Sequence, residues 1–142
     1  MVFATLTGTA VGTYNSVNVA TATTVTFTGV SLTGAQAGNY SLTAHPSQAA
    51  TITKATAVIT FGALAAKTTA DVPFALTATS TSGNTVTYVS GTPATATISG
   101  STVTIVAAGS TVITASDAGN ANYDAAVDVP QTLTVTAGPN LE

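Results

Sequence analysis

The chain contains no cysteine, no tryptophan and no arginine, and only two lysines. Without cysteine there is no disulfide framework, no thiolate catalysis and no zinc–thiolate site. Lys54 and Lys67 are the only basic residues besides His45. So few cations cannot displace counterions from a phosphate backbone, nor form the polybasic patch that anionic lipid attracts. Nucleic acid and lipid surfaces are therefore not expected partners. No apolar run approaches the ~18 residues of a transmembrane helix, so membrane insertion is not expected either. No basic stretch followed by an apolar segment marks a signal peptide. Charged residues make up 5% of the chain, and the net charge of −3 is too small for an acidic interaction tail.

Of the 142 residues, 45% are hydrophobic, which is enough for a core. The core will be light, because alanine dominates and large side chains are few. Threonine supplies about a fifth of the residues, and its β-branched side chain suits the wet face of a sheet. Alternation with period two runs through Thr24–Thr28, Thr85–Tyr88, Thr102–Ile105 and Thr132–Val135, and no segment shows a helical stripe. The Val, Ile, Leu and aromatic members should face inward and the threonines water. Phe74, Leu76 and Ala78 form another inward set. Val112 and Ile113 are adjacent, so one of them must face outward.

From residue 57 onward seven strands are expected, at 57–61, 73–79, 84–89, 94–98, 102–106, 111–115 and 131–136. Turn residues separate them at intervals of about 8–12 residues, the spacing of a Greek-key sandwich. The expected core is Val58 or Ile59, Phe61, Phe74, Leu76, Val86, Tyr88, Ile98, Val103, Ile105, Leu133 and Val135. Residues 1–54 offer only 3–7, 10–13, 22–28, 40–44 and 50–53, which is thin for a closed sandwich. The division expected is a partial β module over 1–54, a sandwich over 55–138 and a tail over 139–142. Met1 and Leu141-Glu142 read as cloning additions, and the chain as a piece of something longer. The seam over 50–61 has no glycine or proline, so a continuous extended segment is expected there.

One closing signal occurs twice. Ala37-Gly38-Asn39-Tyr40 and Ala118-Gly119-Asn120-Ala121-Asn122-Tyr123 each precede a threonine-rich apolar run by about ten residues. Their tyrosines lie about 83 residues apart, the size of one small β domain, which points to tandem modules.

Residues 11–55 resemble the second half of the mostly-β repeats, called MBG or YDG repeats, of giant bacterial surface proteins and adhesins. The matching pieces are Val25-Thr26-Phe27-Thr28-Gly29-Val30-Ser31-Leu32-Thr33-Gly34, Ala37-Gly38-Asn39-Tyr40-Ser41-Leu42-Thr43 and Ala50-Thr51-Ile52-Thr53-Lys54-Ala55. Residues 56–137 resemble a bacterial Ig-like domain through Ile59-Thr60-Phe61-Gly62, Ala94-Thr95-Ala96-Thr97-Ile98-Ser99-Gly100 and Ala118–Tyr123. The resemblance implies an all-β protein, an Ig-like Greek-key β-sandwich preceded by a partial, smaller β module. It implies structure rather than a ligand, because these signatures carry no catalytic residues.

The chemistry-bearing residues are few. His45, near Ser47, lacks a nearby acid and a Gly-x-Ser-x-Gly elbow, so it reads as a loop histidine. Asp124 and Asp128 would lie about 13 Å apart on a strand, too far for one chelate. Asp117, Asn120, Asn122 and Asp124 are the candidate calcium ligands; alternatively Asp117 and the asparagines shape their loop. Tyr14, Tyr40, Tyr88 and Tyr123 could stack on sugars, whereas Tyr40 and Tyr123 fit a corner role, with the hydroxyl bonded to backbone. Asn39-Tyr40-Ser41 fits the glycosylation sequon, although the bacterial resemblance argues against its use.

These readings converge on a non-enzymatic spacer of a bacterial surface or secreted adhesin, with no catalytic or cofactor site. The expected partners are neighbouring repeats, and the chain itself through its uncharged N-terminal region. The alternative is a module that binds a glycan or a protein by loops or a sheet face.

Overall fold

The computed structural model describes residues 4–139. The terminal Met1 and Leu141-Glu142 lie outside them. The protein is all-β, as the period-two alternation predicts, and its one helical feature among the described residues is a 3-10 turn at Ala37–Asn39. The chain divides into two compact units, Met1–Lys54 and Ala55–Glu142.

The first unit is a three-stranded antiparallel sheet of β1 (Thr5–Tyr14), β2 (Thr24–Thr33) and β3 (Gln48–Ala49), in that order. The two strands expected at 3–7 and 10–13 are one, kinked by a bulge. Gly8 pairs with Val30 and Val11 with Thr28, so Thr9 and Ala10 face the single residue Gly29. The bulge needs glycine on both strands. Gly8 and Gly29 have φ of 95° and 91°, and a Cβ on either would lie within 2.2 Å of a carbonyl oxygen of the opposite strand. The segments expected as strands at 40–44 and 50–53 carry no strand. Ala22 is the only buried hydrophobic described in this unit, while Leu6, Val11, Tyr14, Val17 and Leu42 are exposed.

The second unit holds β4 (Ala55–Thr56), β5 (Ile59–Thr60), β6 (Lys67–Thr68), β7 (Phe74–Ala75), β8 (Thr79–Ser80), β9 (Thr87–Ser90), β10 (Ala96–Ser99), β11 (Thr102–Ile105), β12 (Gly109–Ser116), β13 (Tyr123–Asp124) and β14 (Val129–Thr136). One sheet runs β6-β14-β12-β9. A second runs β10-β11-β7, and β8, on the same stretch of chain as β7, pairs with β5. Gly100, at φ 60°, and Ser101 form the tight turn expected between β10 and β11.

Both sheets contribute to one core: Ile59, Phe61, Leu76, Val86, Ala96, Val103, Ile113, Ala115, Leu133 and Val135. Two ambiguities resolve through strand parity. Ile59 is buried at 7% while Val58 is 58% exposed, and Ile113 is fully buried while Val112 is 43% exposed. Phe74, Tyr88, Ile98 and Ile105 pack against this core half-buried. Not every threonine faces water. Thr111 is buried, and its hydroxyl lies 3.0 Å from that of Ser90 and accepts the Thr92 N–H at 2.9 Å.

The seam expected to be continuous carries strand only at β4 and β5. The two pair with different partners. β4 runs parallel to β13, and β5 antiparallel to β8. The chain switches partner at Ala57 and Val58, where Ala57 N–H donates to Asp124 O and Val58 N–H to Thr81 Oγ1. β6 and β13 escaped the sequence reading because two residues show no periodicity.

Candidate functional site

The densest polar cluster of the second unit forms around Asp117, just past the end of β12. Its carboxylate is buried. Oδ2 accepts the hydroxyls of Ser80 and Ser82. Oδ1 accepts Asn84 Nδ2 and the Gly119 N–H, each at 2.9 Å. The donors come from the end of β8 and the turn after it and from the loop after β12, so one side chain staples segments that lie 33 to 37 residues apart in sequence. Asn84 Nδ2 also donates to Gly119 O at 2.7 Å, and Asn120 Nδ2 to Ser82 O at 3.0 Å.

The electrostatics follow from the donors. The hydroxyls of Ser80 and Ser82, then Asn84 and the Gly119 N–H, stabilise the charged form and hold the Asp117 carboxyl well below the usual carboxylate range, against the opposing effect of burial. Gly119 is required beside it. Its φ is +74°, and a Cβ there would meet Tyr123 O at 2.5 Å and the Asp124 carbonyl carbon at 2.7 Å.

Of the four candidate calcium ligands, the structure brings Asp117 and Asn120 into this network. Asn120 Oδ1 accepts the N–H groups of Asn122 and Tyr123, at 2.9 and 3.1 Å. Asp124 lies on β13 and is exposed. Thus Asp117 and Asn120 direct their oxygens at protein donors and shape the loop, as Asx side chains do. Among the described residues, no three or more His, Cys, Asp or Glu side chains group to hold a metal.

The tyrosine whose hydroxyl bonds to backbone is a different one from those expected. Tyr88 on β9 accepts the Ala78 N–H on its hydroxyl at 2.9 Å, and its ring meets Phe61 edge-on at 5.6 Å. That acceptor fills the gap in pairing between β7 and β8. Tyr40 is 57% exposed. Tyr123 is half-buried and closes its loop through its backbone, its carbonyl accepting the Asn120 N–H at 2.9 Å. Asp71 caps a turn after β6. The Thr68 N–H donates to its Oδ2 at 2.6 Å, and that bond leads in lowering its pKa.

In the first unit, a groove of about 550 Å³ is lined by Ala10, Phe27, Thr28, Gly29, Val30, Leu42, Thr43, Ala44 and His45. His45 is exposed, packs edge-on to Phe27 at 5.2 Å, and bonds the Pro46 carbonyl through Nδ1 at 2.9 Å. Nδ1 donates to that carbonyl, so it is directed at backbone rather than at a nucleophile. Sequence reasoning missed the roles of Ser80, Ser82 and Asn84, which carry no signal beyond an ordinary turn.

No curated protein and no solved structure matches the chain. Residues 3–51, the stretch that holds β1, β2 and β3, match the sequence profile of the YDG domain.

Proposed function

We propose that the chain is a load-bearing spacer from a large bacterial surface or secreted adhesin-like protein, its second unit an Ig-like module. The observation that carries this reading is the pairing of the unit's first strands with its last. β4 lies parallel to β13, and β6 lies parallel to β14, with Lys67 opposite Val135 and Thr68 opposite Thr136. A pull on the two ends of the unit loads such bonds side by side in shear, so they must break together. The sheet β6-β14-β12-β9 and the strands of β10-β11-β7 and β5-β8 share one core, which supports the Ig-like assignment. The resemblance of residues 11–55 to surface-protein repeats supports the setting.

The alternative, an adhesive module for a glycan or a protein, has the groove beside Phe27 and His45 in its favour. That groove is mainly apolar, and Thr28, Thr43 and His45 are the polar side chains that line it.

Single-molecule stretching of the full chain tests the spacer. The second unit should unfold in one sharp event. Thr69→Pro removes the N–H that donates to Thr136 O at 3.0 Å and should lower the unfolding force. Extension without a resolved event, or specific capture of the chain on a glycan array, would overturn the reading.

A further inference from the structure

We propose that β1 is a self-complementary edge through which two copies of the chain pair antiparallel, with Ala10 of one opposite Ala10 of the other. Among the described residues β1 ends its sheet, and its pairing, broken only at the Thr9 and Ala10 bulge, is with β2 alone. A row of free N–H and C=O groups is a template for another strand. Edges are commonly blunted by charge, and residues 1–53 contain no Lys, Arg, Asp or Glu. An uncharged edge meets no repulsion from its own copy.

The sequence of β1 identifies that copy as the occupant. A two-fold axis sets some residue opposite itself. Centred on Ala10, it places Leu6 opposite Tyr14, Thr7 opposite Thr13 and Gly8 opposite Gly12. Apolar residues then meet apolar, threonines meet threonines, and glycines meet at close approach. Centring on Thr9 sets Leu6 against Gly12, and centring on Val11 sets Gly8 against Tyr14. The Ala10 register leaves Thr9 opposite Val11, both β-branched, as the one unlike pair within Leu6–Tyr14, fewer than the other two registers. The axis then falls on the bulge at Thr9 and Ala10. The bulge divides β1 into two arms, and each arm of one copy lies against the other arm of its mate. Leu6 and Tyr14 are exposed in the single chain and gain a cross-strand neighbour in the pair. This pairing stands whether or not the chain serves as a spacer.

The absence of cysteine makes introduced thiols clean probes. In the full chain, sedimentation equilibrium should show a dimer. Ala10→Cys should form a disulfide-linked dimer on mild oxidation, since facing strand residues lie within disulfide reach. Spin labels at Tyr14→Cys should sit about 27 Å apart, from eight residues of stagger, while labels at Ala10→Cys give the shortest distance of the strand. Thr13→Lys should weaken dimerisation on the order of tenfold or more by charging the edge. A monomer at high concentration overturns the proposal, as does a dimer whose label distances are not shortest at Ala10. Should Thr13→Lys disturb folding, the label distances alone decide.

Discussion

Replacing Leu133 with alanine probes the second unit where its core is tightest. Leu133 sits on β14 opposite Thr111 and is fully buried. The substitution removes three buried carbons, about 2.4 kcal/mol of transfer free energy at about 0.8 kcal/mol per carbon. The cavity adds to this, because the neighbours are strands held in register by both sheets and cannot collapse freely. A total of about 3–4 kcal/mol is expected, within the range of buried Leu→Ala changes. For a unit of this size that is a fall in Tm of about 15–20 °C. The assay is urea unfolding followed by near-ultraviolet circular dichroism, which reads the Tyr88 ring packed against Phe61. The internal control is Val112→Ala, one strand away and exposed, where a change under about 0.5 kcal/mol is expected. A Leu133→Ala loss below about 1 kcal/mol, or equal losses at the two sites, would refute the assignment of inward and outward faces on β12 and β14.

Three further outcomes concern the Asp117 network and the Tyr88 hydroxyl. Asp117 has a depressed carboxyl pKa in the folded state, so its stabilisation is fully present above the unfolded value of about 3.9 and is lost as pH falls below it. Acid titration of stability should therefore steepen below about pH 4, and Asp117→Asn should flatten that limb; an unchanged limb would remove the carboxylate from the account. Gly119→Ala should destabilise by about 2 kcal/mol or more, since the new Cβ meets backbone at 2.5 Å, while Gly83→Ala, at φ +77° with open space, should cost about 1 kcal/mol; equal midpoint shifts in thermal unfolding would contradict the crowding at Gly119. Tyr88→Phe should cost about 1–3 kcal/mol by stranding the Ala78 N–H, and slower amide exchange at Ala78 in the variant would disprove that bond.

Much of the second unit was legible because alternation and burial share a period. Val103, Leu133 and Val135 each sit between threonines, and each is buried. Where two apolar residues are adjacent, period alone is ambiguous, and pairing decides, as for Val112 and Ile113. The short strands β6 and β13 were illegible, because two residues have no pattern and are defined only by remote partners, Val135 and Ala55. The Asp117 staple was half legible. An Asx-rich loop predicts a shaped loop, but the Ser80, Ser82 and Asn84 donors reach it from across the fold, and no local signal names them. In the first unit, Gly8 and Gly29 lie just outside the strands expected at 3–7, 10–13 and 22–28. They allow a bulge inside a continuous ladder instead, which is why two short strands were expected where one long strand runs.

The parallel pairings of β4 with β13 and β6 with β14 also govern the order in which the chain can fold. Ala55 waits for Tyr123, and Lys67 waits for Val135. During synthesis the opening strands of the second unit remain without partners until the strands 68 residues later have emerged. Contacts so distant in sequence are slow to form, because a long loop must close before any of them is made. The hairpin of β1 and β2 needs only residues 5 to 33, so it can assemble early. The uncharged edge of β1 is therefore presented before the second unit has closed, so the proposed pairing through it could begin between nascent neighbours on one messenger.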